Sequence, residues 1–236
     1  MTGRVFGHPR RHYRVTDSTN SRARELAAAG APDGTVVTAD EQLAGRGRQG
    51  RTWSAPAGRA LLCSTVIRDP PRLLPLAAGV AVAEVAAELT ALPMLVKWPN
   101  DVLLDGRKVA GILVEGRPQQ HWAVLGIGLN VALAPEDFPP ELHDTAATLA
   151  LAPEAVEPTL TALLRSLERW VGAGPDDVLA AVRARDALRG RPVRWAHGEG
   201  TAAGLDGEGR LLVDTAAGRQ ALDAGEVHLR PDVSAG

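Results

Sequence analysis

Seven residues, Gly45-Arg46-Gly47-Arg48-Gln49-Gly50-Arg51, closed by Trp53, carry three arginines and three glycines. Glycine weakens a helix or strand that it interrupts by about 0.5–1 kcal/mol relative to alanine. Arginine seldom buries without a partner. The pattern suits a mobile loop whose backbone comes close to a ligand while guanidinium forks hold phosphate or carboxylate. Read alone, it is equally a solvated basic loop. It is not a P-loop, because no Gly-Lys-Ser/Thr follows. Gly126-Ile127-Gly128 lacks a third glycine and opens no helix, so it is not a dinucleotide fingerprint.

Other candidates lie at turns and element ends. Lys108 follows Asp105-Gly106, the strongest short-range hairpin signal, and reads either as a solvated hairpin lysine or as a fixed cation. Ser18, Thr19 and Asn20 are helix N-cap residue types, and Gln42 is a loop amide. Asn100 and Asp101 follow Pro99 in a turn. Asn130 follows the two glycines. Gly111, Gly126 and Gly128 fit places where a backbone lies against a ligand. Aromatic residues are scarce, with five Trp, two Phe and one Tyr. Trp53 and Trp98 are by default packing residues. The histidines show no metal-ligand spacing, and His12 and His228 read as surface or packing residues. Cys63, in the apolar run from Ala60 to Ile67, reads as a small buried hydrophobe.

These residues need elements to hold them. A helix over 21–30 stops at Gly30. Strands are expected over 34–40, 61–67, 95–98 and 123–131, with a hairpin over 101–115 and an Ala-rich helix over 74–89. Two helices follow, roughly 157–171 and 175–188. Beyond Gly190 come short strands and tight turns: 193–195, 200–205, 211–213 and 226–229. The mixed order favours α+β: a larger domain over 1–188 and a small SH3-like β domain over 189–236.

The 236 residues are 45% apolar with a net charge of −2. That is enough apolar material for a core, and there is no global basic field to attract nucleic acid. Residues 1–14 are polar and basic, with no apolar stretch after them as a signal peptide has. The apolar run from Leu73 to Leu92 is broken by Glu84 and Glu88, which excludes a membrane span. A cytoplasmic protein is expected.

Five segments in order then resemble the biotin protein ligases: Asp17-Ser18-Thr19-Asn20; Gly45 to Trp53; Lys97-Trp98-Pro99-Asn100-Asp101; Lys108 to Glu115; and Gly126 to Val131. The resemblance runs from about residue 13 to 188, and Gly225 to Arg230 is similar to the family's closing strand. It implies a mixed-sheet catalytic domain that activates biotin with ATP and attaches it to a lysine of a biotin carboxyl carrier domain. Lys108 and Arg48 are then catalytic. Ser18, Thr19, Asn20, Gln42, Arg46, Gly47, Arg48, Trp98, Lys108 and Gly111 would contact biotin. Arg46, Arg48, Arg51, Trp53, Asn100, Lys108 and Asn130 would contact the nucleotide, with Mg²⁺ on the phosphates near Asn100 and Asp101. Many family members carry an N-terminal DNA-binding domain; here the first motif begins almost at once, so the ligase-only class is expected, without DNA binding, as monomer or homodimer. A lipoate or octanoyl transferase of related fold would not explain the Gly-Arg loop or Lys97 to Asp101. A non-catalytic biotin-binding module would not explain the full Arg/Lys set.

Overall fold

The computed structural model describes residues 5–223, 225 and 227–229. Its larger sheet has seven strands: β1 (Arg10–Thr16), β2 (Val36–Gln42), β3 (Ala60–Arg68), β4 (Met94–Lys97), β5 (Asp101–Leu104), β6 (Arg107–Arg117) and β7 (Trp122–Asn130). Their order is β1-β2-β3-β7-β6-β5-β4. β1 and β2 are parallel, joined through helix α1 (Thr19–Ala28). The other neighbours run antiparallel. The β5–β6 turn holds Asp105 at φ 50° and Gly106 at φ 74°, the left-handed pair that a two-residue type I′ hairpin requires.

Strand alternation sends β7 to two different environments. Ala123, Leu125, Ile127 and Leu129 enter the main core. That core is closed by helix α2 (Leu74–Thr90), helix α3 (Val156–Val171) and helix α4 (Pro175–Arg183). α2 is buried along most of its length, and its small residues let it lie close: a Cβ on Gly79 would stand 3.3 Å from Val96. On the opposite face Val124 packs with Val37, Val66, Ala23 and Ala27 beneath α1. Glu84 of α2 accepts hydrogen bonds from Ser166, Arg169 and Trp170 of α3. Burial alone would raise its carboxyl, but the Trp170 and Arg169 donors outweigh it and hold the group below the usual range.

A second sheet of five antiparallel strands follows: β8 (Pro192–Trp195), β9 (Gly198–Leu205), β10 (Leu211–Thr215), β11 (Gly218–Leu222) and β12 (His228–Leu229). Its Val193, Ala202, Leu205, Leu211 and Val213 join the main core, so the two sheets share one apolar interior. Trp98 Nε1 donates to the Gly209 carbonyl across the junction at 3.0 Å.

Three departures from the expected elements have local causes. β1 was not expected, because Arg10-Arg11-His12-Tyr13-Arg14 shows no apolar alternation; pairing with β2 makes it a strand. α4 ends at Arg183 rather than 188, because the chain leaves the helix to pair with β4, where Val96 N–H donates to Arg185 and Ala187 N–H donates to Val96. β11 was also not expected, since it is exposed along most of its length and gains its register only from β10. Glu226 and Arg230, part of the expected closing strand, lie outside the described residues.

Candidate functional site

On the face that carries α1, a cavity of about 680 Å³ opens where that helix leaves the sheet uncovered. Its floor is glycine. Gly111 and Gly128 stand opposite each other on β6 and β7, and the indole of Trp53 lies against both: a Cβ on Gly128 would overlap its ring, and one on Gly111 would stand 3.1 Å from it. Gly126, two residues back on the same face, is covered by the Asn20 amide in the same way. The Gly-x-Gly of β7 thus belongs to a strand with one apolar face and one bare one. Trp53 Nε1 is buried and has no hydrogen-bond partner among the described residues.

Lys108 stands at the cavity side by virtue of a bulge. The β5–β6 register shifts between Val102, opposite Ala110, and Leu103, opposite Lys108. The extra residue re-aims the strand, as bulges near functional sites do. The Lys108 backbone is pinned by pairing with Thr145 and Ala147. Its Nζ lies 2.7 Å from Asp101 Oδ1 and 5.7 Å from the centroid of a Trp53 ring, within cation–π range. Lys97 Nζ lies 3.9 Å from the other Asp101 oxygen.

The polar wall is built around the start of α1. Ser18 is the N-cap residue, but its side chain makes no capping bond. Gln42, at the end of β2, replaces it: its Oε1 accepts from the Thr19 backbone N–H at 2.7 Å. The expectation that Ser18, Thr19 and Asn20 cap the helix with their own side chains is therefore corrected. Those side chains turn elsewhere. Asn20 Nδ2 donates to Glu115 Oε2 at 2.8 Å, and Ser64 Oγ lies 2.6 Å from Asn20 Oδ1 and 2.7 Å from Thr19 Oγ1. Beside them Asp17 is held below the usual carboxylate range, chiefly by a hydrogen bond from the Ser18 backbone.

The arginine loop closes on itself. Arg46 pairs with Thr52 in an isolated antiparallel bridge, and Gly47 N–H donates to Arg51 O at 2.7 Å. Gln49 at φ 55° and Gly50 at φ 76° turn the chain. Arg46 reaches Ser21 Oγ at 2.8 Å and stands 3.6 Å from Glu115. Arg48 donates to Asn100 Oδ1 at 2.9 Å and to the Gly225 carbonyl at 3.1 Å, so one guanidinium ties the loop to the β4–β5 turn and to the small sheet. Asn100 returns its Nδ2 to Ile112 O at 2.8 Å. Asn130 donates to Ala147 O at 2.9 Å and holds the segment above Lys108.

Ser18, Thr19, Asn20, Gln42, Arg46, Gly47, Arg48, Arg51, Trp53, Asn100, Asp101, Lys108, Gly111 and Asn130 all line this one cavity. Trp98 does not. It is 4% exposed, in the interior shared with the small sheet, because its indole N–H is satisfied by Gly209. The expectation that it walls the biotin pocket is corrected. His228, read as a surface or packing residue, lines the cavity with Leu229. Ser64, the 138–146 segment and the tie through Glu115 had not been singled out. The first and last depend on cross-strand neighbours; only the acidic Pro-rich run from Pro135 to Asp144 leaves a trace in sequence.

Comparison with known proteins agrees with this geometry. Residues 12–131 match the biotin/lipoate A/B protein ligase family, and residues 181–230 match the biotin protein ligase C-terminal domain. The chain is 41% identical to the biotin–[acetyl-CoA-carboxylase] ligase of Mycobacterium tuberculosis over 91% of this chain and 87% of that protein. It is 33% identical to the bifunctional ligase/repressor BirA of Bacillus subtilis over 95% of this chain and 75% of that protein. The biotin protein ligase from Aquifex aeolicus in complex with biotin and ATP superposes with a TM-score of 0.78 at 29% identity, covering 94% of this chain and 98% of that one. The chain belongs to the biotin protein ligase family.

Proposed function

We propose that the chain activates biotin with ATP, releasing pyrophosphate, and transfers the biotinyl group from biotinyl-5′-AMP to a lysine of a biotin carboxyl carrier domain. The observation that carries the reading is the convergence of Lys108 and the loop arginines on one cavity with a polar wall and a glycine floor. The carboxylate of biotin and the α-phosphate of ATP are both anions. A site that joins them supplies fixed positive charge and holds them in line. In this reading Lys108 stands between carboxylate and α-phosphate, and Arg48 and Arg51 brace the phosphates. The wall of Thr19, Asn20 and Gln42 faces the ureido ring. Trp53 bounds the nucleotide side. The carboxylate oxygen attacks phosphorus and pyrophosphate leaves; the acceptor amine then attacks the mixed anhydride and AMP leaves.

Mg²⁺ fits here as a companion of the triphosphate rather than in a protein cage. Among the described residues no group of three or more His, Cys, Asp and Glu could hold a metal. Asp101 already faces Lys108 and Lys97, and Asn100 Oδ1 faces Arg48. Mg²⁺ of this kind keeps most of its ligands as phosphate oxygens and water, and it neutralises phosphate charge. No helix among the described residues is long and apolar enough to cross a membrane.

A thermal-shift screen tests the reading. Biotin and a non-hydrolysable ATP analogue should each raise Tm, and together raise it further; lipoate should not. A shift with lipoate and none with biotin would move the activity to the related acyl class. Biotin-dependent pyrophosphate release separates an enzyme from a binding module.

A further inference from the structure

Behind the polar wall lies a hydroxyl that does not reach the cavity. Ser64 sits in the middle of β3 with 0% exposure, directly opposite Gly126. Its single hydrogen has two neighbours, Asn20 Oδ1 at 2.6 Å and Thr19 Oγ1 at 2.7 Å. The neighbours decide which receives it. Asn20 Nδ2 is committed to the Glu115 carboxylate, and an ionised carboxylate only accepts. The Asn20 carbonyl oxygen therefore faces Ser64, and a carbonyl can only accept. Ser64 gives its hydrogen to Asn20. Thr19 Oγ1, whose hydroxyl can turn either way, is then the donor in its contact with Ser64 at 2.7 Å, and its oxygen stands 3.1 Å from Gln42 Oε1. Gln42 Oε1 is held by the Thr19 backbone N–H, which leaves its Nε2 as the free end. The chain runs in one direction, from the Thr19 hydroxyl to Ser64, from Ser64 to the Asn20 carbonyl, and from the Asn20 amide to Glu115, with Gln42 joined to it through the Thr19 backbone N–H.

We propose that Ser64 is a positioning residue for recognition of the cyclic urea: it fixes the Asn20 amide and the Thr19 hydroxyl so that the wall offers one set of donors and acceptors. The proposal rests on the biotin-ligase reading above and adds a determinant of substrate recognition outside the cavity. Without the Ser64 hydroxyl, Asn20 Oδ1 is a buried acceptor with no donor, the amide is free to turn over, and Thr19 loses the neighbour that orients it. ATP does not depend on Ser64, since Lys108, Asn100 and Arg48 are held through other contacts.

Steady-state pyrophosphate release with biotin and ATP varied separately tests the assignment. Ser64→Ala removes the donor; Ser64→Cys keeps nearly the same volume with a much weaker donor; Ser64→Thr retains the hydroxyl. The expected result is a rise of about tenfold or more in KM for biotin in the Ala and Cys variants. KM for ATP and kcat should stay within twofold, and the Thr variant should return to within about threefold of the parent. Circular dichroism and Tm establish folding, and the Cys variant carries the test if the Ala variant does not fold. A biotin KM within twofold of the parent in a folded Ala or Cys variant would overturn the proposal. So would equal losses for biotin and ATP, which mark general loosening. A parent protein that turns over no biotin would instead sink the activity reading, while a parent that does, with indifferent Ser64 variants, sinks only this inference.

Discussion

Lys108 Nζ and Asp101 Oδ1 stand 2.7 Å apart across the β5–β6 hairpin, with the lysine also over the indole of Trp53. A carboxylate at one side and a π face at the other hold the ammonium at the cavity edge before substrate arrives. Cations preset in this way need no reorganisation when charge develops. Lys108→Ala is expected to lower biotin-dependent pyrophosphate release at least 100-fold, on the order of 3 kcal/mol of transition-state stabilisation. Activity within threefold of the parent would remove Lys108 from the chemistry.

The floor sets a second expectation. A methyl group on Gly128 has no room beneath Trp53, so Gly128→Ala should lift the indole. Tryptophan emission should shift on substitution, and adenylate formation should fall by tenfold or more with the fold intact by circular dichroism. An unchanged spectrum with full activity would show that the indole does not rest there in solution.

Arg48 spans three parts of the molecule: the loop, Asn100 and the Gly225 carbonyl. Arg48→Ala should therefore release biotinyl-adenylate faster than the parent, and the leaked mixed anhydride should biotinylate lysines on bystander proteins. Amide exchange across Gly45 to Arg51 should slow when biotin and ATP are added, as lid closure requires. A loop equally protected with and without ligand would argue against a lid, as would a variant that slows adenylate formation but leaves its dissociation unchanged.

Trp98 belongs to the junction between the sheets, and its replacement should report on stability. Trp98→Phe leaves the Gly209 carbonyl without its donor. That costs about 1–3 kcal/mol, or about 2–4 °C in Tm per kcal/mol for a chain of this size. Biotin affinity should not change. A loss of biotin binding with an unaltered Tm would return Trp98 to the pocket.

Asp186 supplies a pH signature. Burial raises its carboxyl above the usual aspartate range, against the lowering effect of the Leu188 and Arg189 backbone N–H groups, and its Oδ2 is buried without a hydrogen-bond partner among the described residues. A raised folded value means the carboxyl costs nothing while protonated in both states and destabilises the fold as pH rises through that value. Asp186→Asn should have a higher Tm than the parent at pH 7. The gap should close as pH falls toward the ordinary aspartate range. A gap that widens on acidification would reverse the sign.

Much of the site can be read in sequence because its signals are short-range. Asp105-Gly106 sets the hairpin, and Lys108 follows it by two residues. What could not be read depends on partners far along the chain. Gln42 caps a helix that begins 23 residues before it. Ser64 meets Asn20 only because β3 lies beside β7 under α1. β1 is a strand because β2 offers it a parallel edge, not because of its own residues. Trp98 could face either way from the Lys97 to Asp101 segment; the small sheet, more than 100 residues on, decides it.

Strand β7 also predicts how the protein tolerates change. Leu125, Ile127 and Leu129 point into the core, while Gly126, Gly128 and Asn130 face the cavity side. Adjacent codons therefore answer to different selections. A saturation library over 125–130, scored for abundance and for biotin transfer, should alternate residue by residue. Odd positions should lose abundance and activity together, whereas positions 126, 128 and 130 should lose transfer while the protein still accumulates. A single strand then records, in register, which half of its length evolution can trade for stability and which half it can trade for substrate.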